Sequence, residues 1–123
     1  MMVRGSGWSP RVASRLPLDM VRLTAFCDRW QIAGLELFGS VLLEDFRAES
    51  DIDMLVSFRP GVRWGLLDHA AMEEELSRLF RRRVDLLTRR SVERSPETHR
   101  RSSILNSAVP LLTLADSAIL ADA

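Results

Sequence analysis

Three short stretches of this 123-residue chain carry groups able to do chemistry together: Gly39-Ser40, Asp51-Ile52-Asp53 and Asp85. Residues two apart in a strand project from the same face, so Asp51 and Asp53 place two carboxylates side by side while Ile52 and Met54 point the other way. Two carboxylates a few ångström apart repel, and partial burial worsens the repulsion. A divalent cation relieves it. Mg²⁺ takes hard oxygen ligands at about 2.0–2.1 Å and completes its shell with water and phosphate. Asp85 stands inside the apolar run Val84-Asp85-Leu86-Leu87, where a charge is costly unless it is paired or bound to metal. It is the third candidate carboxylate. With two metal ions, such a triad activates an attacking hydroxyl and stabilises departing pyrophosphate. The competing reading makes Asp51 a turn acid, Asp53 an ion-paired strand acid, and Asp85 the partner of one of Arg81, Arg82 and Arg83.

Gly39-Ser40 supplies the complementary half. Glycine between a strand and a helix lets a phosphate approach the main chain, where backbone N–H groups and the Ser40 hydroxyl can hold its oxygens. Ser40 capping the following helix is compatible with that role. His69 and His99 read as surface residues rather than ligands.

The elements that must position these residues follow from periodicity. Asp19 is an N-cap for a helix to about Gln31, whose apolar positions Met20, Leu23, Phe26, Cys27 and Trp30 share one face. Gly34 is expected to end it, and Leu35–Phe38 reads as a strand. Val41–Phe46 suggests a short helix. Ile52–Phe58 is a strand buried on both faces, and Pro60-Gly61 a turn. A helix follows over about 65–80 through Leu66, Leu67, Ala70, Leu76, Leu79 and Phe80, with Glu73, Glu74 and Glu75 mostly on its wet side. Arg83–Leu87 is a third strand. Ser95-Pro96-Glu97 opens a helix to about Ser107. Pro110 interrupts it, and the apolar stretch Leu111–Leu120 is open between a docked helix and a partner surface. Strands alternating with helices predict an α/β chain, a small sheet with helices packed against it. The organisation expected is a flexible arm over 1–18, one domain over 19–112, and a tail over 113–123 that is docked or partner-binding.

Composition narrows the function classes. Hydrophobic residues make up 46% and charged residues 28%, as in a globular domain. Formal net charge is zero, so no overall field draws the chain onto nucleic acid or an acidic membrane. All 17 basic residues are Arg, which excludes a phosphate-binding or Schiff-base lysine. The single Cys27 is expected to be buried and inert. No apolar run reaches the roughly 18 residues that span a bilayer, and no secretory leader is evident, so a cytoplasmic location is expected.

The run Gly39-Ser40, ten residues, then Asp51-Ile52-Asp53 resembles the signature of the polymerase-beta-like nucleotidyltransferase superfamily, particularly its minimal, MNT-type antitoxin members. Arg82-Arg83-Val84-Asp85-Leu86-Leu87-Thr88, and His99–Leu105 leading to Ala108-Val109-Pro110, extend the likeness over roughly residues 19–112. The resemblance implies the polymerase-beta-like fold, an α+β domain with a small mixed sheet. It implies that Gly39 and Ser40 bind nucleotide phosphate, that Asp51 and Asp53 bind Mg²⁺, and that Asp85 assists as base and third metal ligand. It further implies ATP as substrate and a HEPN-type ribonuclease toxin as protein partner, in a hetero-oligomer. That toxin is neutralised by AMP transfer to a tyrosine hydroxyl, by tight binding, or by both. The chain departs from the pattern at Val41-Leu42-Leu43-Glu44-Asp45, where family members commonly carry an Arg and a Gly. That departure favours the alternative of a catalytically degenerate module that blocks its toxin sterically.

Overall fold

The protein, represented by a computed structural model, is described over residues 3–4, 19–42 and 50–114. The first helix, α1 (Met20–Arg29), is capped by Asp19, whose carboxylate accepts from the Arg22 N–H at 3.1 Å. Its buried stripe is Leu23, Phe26 and Cys27. The helix stops earlier than expected, because Gln31 takes a left-handed φ of 55° and turns the chain. Strand β2 therefore begins at Ile32 and runs to Phe38. Gly34, expected as the helix stop, lies inside it at a shift in register with the neighbouring strand over Ile52–Phe58. A 3-10 turn over Gly39–Leu42 replaces the start of the short helix expected over Val41–Phe46, whose remainder lies outside the described residues.

Strand β3 is Ile52–Phe58, helix α2 Leu66–Phe80, and strand β4 Val84–Thr88. The helix expected from Ser95 begins later, as α4 (Thr98–Ser107), with Ser95 Oγ accepting from the Glu97 N–H at 3.3 Å instead of capping it. Before it comes a helix the sequence reading missed, α3 (Arg89–Glu93), capped by Thr88 through a hydrogen bond from the Ser91 N–H at 3.1 Å. Over residues 111–114 the segment expected as a docked helix or partner surface is a strand. Val109–Leu114 forms strand β5, with Leu111 and Leu112 fully buried. Pro110 pairs with Glu36 beside a register shift, a position where a missing N–H is tolerated in a strand. A two-residue strand, β1 (Val3–Arg4), pairs with β5; the rest of the expected arm, and residues 115–123 of the tail, lie outside the described residues.

The five strands form one mixed sheet in the order β1-β5-β2-β3-β4, antiparallel except for the parallel pair β3–β4. Alternation along the strands separates two apolar layers. Ile52, Met54, Val84 and Leu86 join α1 and α2 in the larger core, which includes Phe26, Met72 and Phe80. On the opposite face Phe38 and Leu55 pack with Val92 of α3 and Ile104 of α4. Trp30 and Trp64 meet edge to face beside the larger core, with ring centroids 5.0 Å apart.

Helix α2 turns a different face to the protein than its leucines suggest. Leu66 and Leu67 are each 86% exposed, and Met72, Leu76 and Phe80 make the buried stripe. His69, Glu73 and Ser77, four residues apart and so on one face, reach the outer edge of β4. The His69 Nε2–H donates to the Leu86 carbonyl at 2.6 Å, Glu73 Oε2 accepts from the Leu86 N–H at 2.8 Å, and Ser77 Oγ accepts from the Val84 N–H at 3.0 Å. Glu73 and His69 are thus structural partners of a strand rather than wet-face residues. Glu75 also turns inward, accepting from Trp30 Nε1 at 3.2 Å and pairing with Arg29. Among the described residues no helix is long and apolar enough to cross a membrane.

Candidate active site

The parallel pairing of β3 with β4 sets Ile52 against Val84 and Asp53 against Asp85. Paired residues in adjacent strands project from the same face, so Asp53 and Asp85 stand side by side, with Asp51 two residues upstream. Ile52, Met54 and Val84 are buried in the opposite layer. Two contacts hold the start of β3 in place: the Ile52 N–H donates to the Arg83 carbonyl at 2.9 Å, and Arg82 Nη1 donates to the Ser50 carbonyl at 3.3 Å. The three acids therefore converge from two stretches of chain at the amino ends of two parallel strands. The side chains of Asp51 and Asp85 remain 44% and 43% exposed, open to water.

Asp53 is the acid most affected by the gathering. Burial pushes its carboxyl above the ordinary carboxylate value, and the neighbouring charges of Asp85 and then Asp51 push it further. Gly39 packs against the same carboxylate. It holds a φ of +76°, and a Cβ added there would lie 2.4 Å from Asp53 Oδ2. The glycine that the sequence reading assigned to phosphate approach is thus also required by the close packing of Asp53. The Ser40 backbone lies in the 3-10 turn, and its side chain is outside the described residues.

The arginine partner weighed for Asp85 is Arg83, and it reaches Asp51 as well, a link the sequence reading did not include. Arg83 Nε is 3.9 Å from Asp51 Oδ2, and Arg83 Nη2 is 3.6 Å from Asp85 Oδ1. The signal was present in the spacing, because Arg83 precedes Asp85 by two and belongs to the same face. The guanidinium spans two carboxylates at ion-pair distances too long for hydrogen bonds. Among the described residues no three His, Cys, Asp or Glu side chains form a ready-made metal cage. The two observations are compatible, since Coulomb coupling reaches several ångström while Mg²⁺ ligation needs about 2 Å. An all-carboxylate donor set, half exposed and already in mutual repulsion, is the set a hard divalent cation suits. Asp53 and Asp85 also border a cleft of about 310 Å³, with Phe38, Leu87, Arg100 and Ile104 among its walls. Cys27 is no part of this site; it is buried under α1, with its thiol pushed up to about 12, chiefly by burial.

Comparison with known proteins follows the same lines. The nucleotidyltransferase domain family matches residues 22–111. A solved structure of a candidate minimal nucleotidyltransferase is similar at TM-score 0.54 and 33% identity, over 77% of this chain and 98% of that one. A toxin-antitoxin crystallised with AMP-PNP has a similar fold at TM-score 0.58 and 18% identity, over 85% of this chain and 82% of that one. A mutant of the toxin-antitoxin MntA-HpeT is similar at TM-score 0.52 and 18% identity, over 85% and 81%. No curated protein sequence matches the chain.

Proposed function

Because this chain belongs to the nucleotidyltransferase domain family, among its minimal members, we propose that it transfers AMP from ATP to a hydroxyl of a protein partner. The partner in this reading is a HEPN-type toxin, the acceptor is a tyrosine, and the chain acts as the antitoxin. The observation that carries the reading is the convergence of Asp51, Asp53 and Asp85 on one open face. Toxin-antitoxin structures of the same fold, one of them with AMP-PNP, support the choice of partner and nucleotide.

In this reading Asp51, Asp53 and Asp85 hold Mg²⁺, as two ions, and the Gly39-Ser40 turn cradles the nucleotide phosphates. Bound Mg²⁺ supplies positive charge to the triphosphate and to the departing pyrophosphate. Asp85 accepts the acceptor hydroxyl's proton as its oxygen attacks the α-phosphorus. The bond from that phosphorus to the β-bridging oxygen breaks, and pyrophosphate carries the electron pair away. Arg100, exposed at the cleft wall, offers a guanidinium to phosphate oxygens. The chain contains no Tyr, so tyrosine-linked AMP can only be on a partner. The test incubates the purified chain with its co-expressed partner, Mg²⁺ and ATP labelled at the α-phosphate. Label on a partner tyrosine, abolished by EDTA and by Asp51→Asn/Asp53→Asn, is expected; absence of transfer refutes the enzyme reading.

A second reading has its own support. Arg83 already neutralises two of the acids, and residues 41–45 lack the family's Arg and Gly. Both suit a degenerate module that blocks its toxin by binding. Neutralisation that survives Asp51→Asn/Asp53→Asn selects it.

A further inference from the structure

A hollow of about 520 Å³ lies outside the carboxyl ends of β3 and β4, at the opposite end of that strand pair from the acids. Its volume is in the range of sites that enclose small ligands, roughly 300–1,000 Å³. Four arginines line it, Arg59, Arg89, Arg90 and Arg94, against one acid, Glu93. The nearby carboxylates are already engaged. Asp28 pairs with Arg59 at 3.1 Å, while Glu36 and Glu93 share Arg89. Arg90 and Arg94 are exposed and meet no carboxylate among the described residues. They stand four apart at the end of α3, a spacing that sets two positive charges on one face and costs stability when nothing answers them. The facing wall is the Pro60-Gly61 turn, where Gly61 has φ +82° and open space beside its Cα. Phe58 and Val62, both half-buried, add apolar lining.

We propose that this hollow is a second ligand site, for a phosphate-bearing anion of mononucleotide size. Guanidinium groups present forked donors that match phosphate oxygens, and a phosphate monoester carries about −1.5 to −2 charges to set against Arg90 and Arg94. Phe58 and Val62 take the non-phosphate part. The hollow is compact and the chain as a whole carries no net charge to hold a polyanionic backbone, which favours a small anion over a nucleic acid. The site shares no residue with the Asp51–Asp53–Asp85 face, and the inference does not rest on the reading of that face.

The test titrates the full-length chain in EDTA, without metal, by calorimetry and by amide chemical shifts. AMP is expected to bind with shifts centred on Gly61, Arg90 and Arg94, inorganic phosphate more weakly, and adenosine not at all. Arg90→Ala/Arg94→Ala removes two exposed side chains and is expected to fold normally by circular dichroism. It should weaken AMP on the order of tenfold or more, whereas Asp51→Asn/Asp53→Asn should leave that binding unchanged. No AMP binding at millimolar concentration overturns the proposal. So does equal binding by the folded arginine variant, loss of binding in the aspartate variant, or tighter binding of an oligothymidylate than of AMP.

Discussion

Replacing Gly39 by alanine tests how closely the turn and the acid site are coupled. The residue holds φ +76°, a left-handed conformation that costs a non-glycine residue about 1–2 kcal/mol. The added Cβ would also lie 2.4 Å from Asp53 Oδ2, so the carboxylate must retreat by about 1 Å to reach ordinary contact near 3.4 Å. A misplacement of about 1 Å at a reacting centre costs on the order of 10²-fold in rate. Gly39→Ala is therefore expected to fold with stability lower by about 1–2 kcal/mol, to bind Mg²⁺ more weakly, and to lose on the order of 10²-fold in AMP transfer. Urea denaturation, Mg²⁺ titration and the α-labelled ATP assay read the three effects. Gly61→Ala is the control, because Gly61 has φ +82° but nothing within 4 Å of an added Cβ; it should lose stability alone. A folded Gly39→Ala protein with wild-type Mg²⁺ affinity would refute the claim that this glycine positions Asp53.

Arg83→Ala removes the cation that spans Asp51 and Asp85, so Mg²⁺ affinity should rise severalfold by calorimetry; unchanged or weaker affinity shows that Arg83 does not compete with metal. Asp53 binds its proton more tightly in the folded chain than in the unfolded one, so its ionisation opposes folding. Stability of the metal-free protein should increase as pH falls from above its raised value toward the ordinary carboxylate range. Asp53→Asn should flatten that part of the curve and raise stability at neutral pH, measured by urea midpoints in EDTA, while Mg²⁺ affinity of the unaltered protein falls as pH drops into the same window. Leu111→Ala deletes a fully buried side chain of β5 and should cost roughly 2–5 kcal/mol; a cost below about 1 kcal/mol would show that β5 is not an integral strand.

What the sequence disclosed and what it hid have physical causes. Strand β3 and helices α1 and α2 lie close to where periodicity puts them, because each buries a regular stripe: Ile52, Met54 and Val56, or Leu23, Phe26 and Cys27, or Met72, Leu76 and Phe80. The gathering of Asp51, Asp53 and Asp85 was legible for a related reason, since a lone acid in an apolar strand must face something polar. Strand β5 was not legible. Pro110 argues against a strand, and only the register shift opposite Glu36 accommodates it. Helix α3, five residues long, is too short to show a period. The roles of His69 and Glu73 could not be read from α2 alone, because the backbone groups they answer belong to β4, which lies later in the chain. Leu66 and Leu67 misled in the other direction, apolar residues in a helical pattern that nonetheless stand in solvent.

The stripe His69–Glu73–Ser77 has a consequence for how any partner protein can be recruited. An outermost strand ordinarily offers free backbone donors and acceptors as a template on which a foreign chain can extend the sheet. Along β4 the Val84 N–H and both main-chain groups of Leu86 are already engaged by α2. A visiting strand would have to peel that helix away and expose Met72, Leu76 and Phe80 in doing so. Backbone-mediated pairing is thus blocked on the side of the sheet beside Asp85, and a partner that brings an acceptor hydroxyl there must be recognised through side chains.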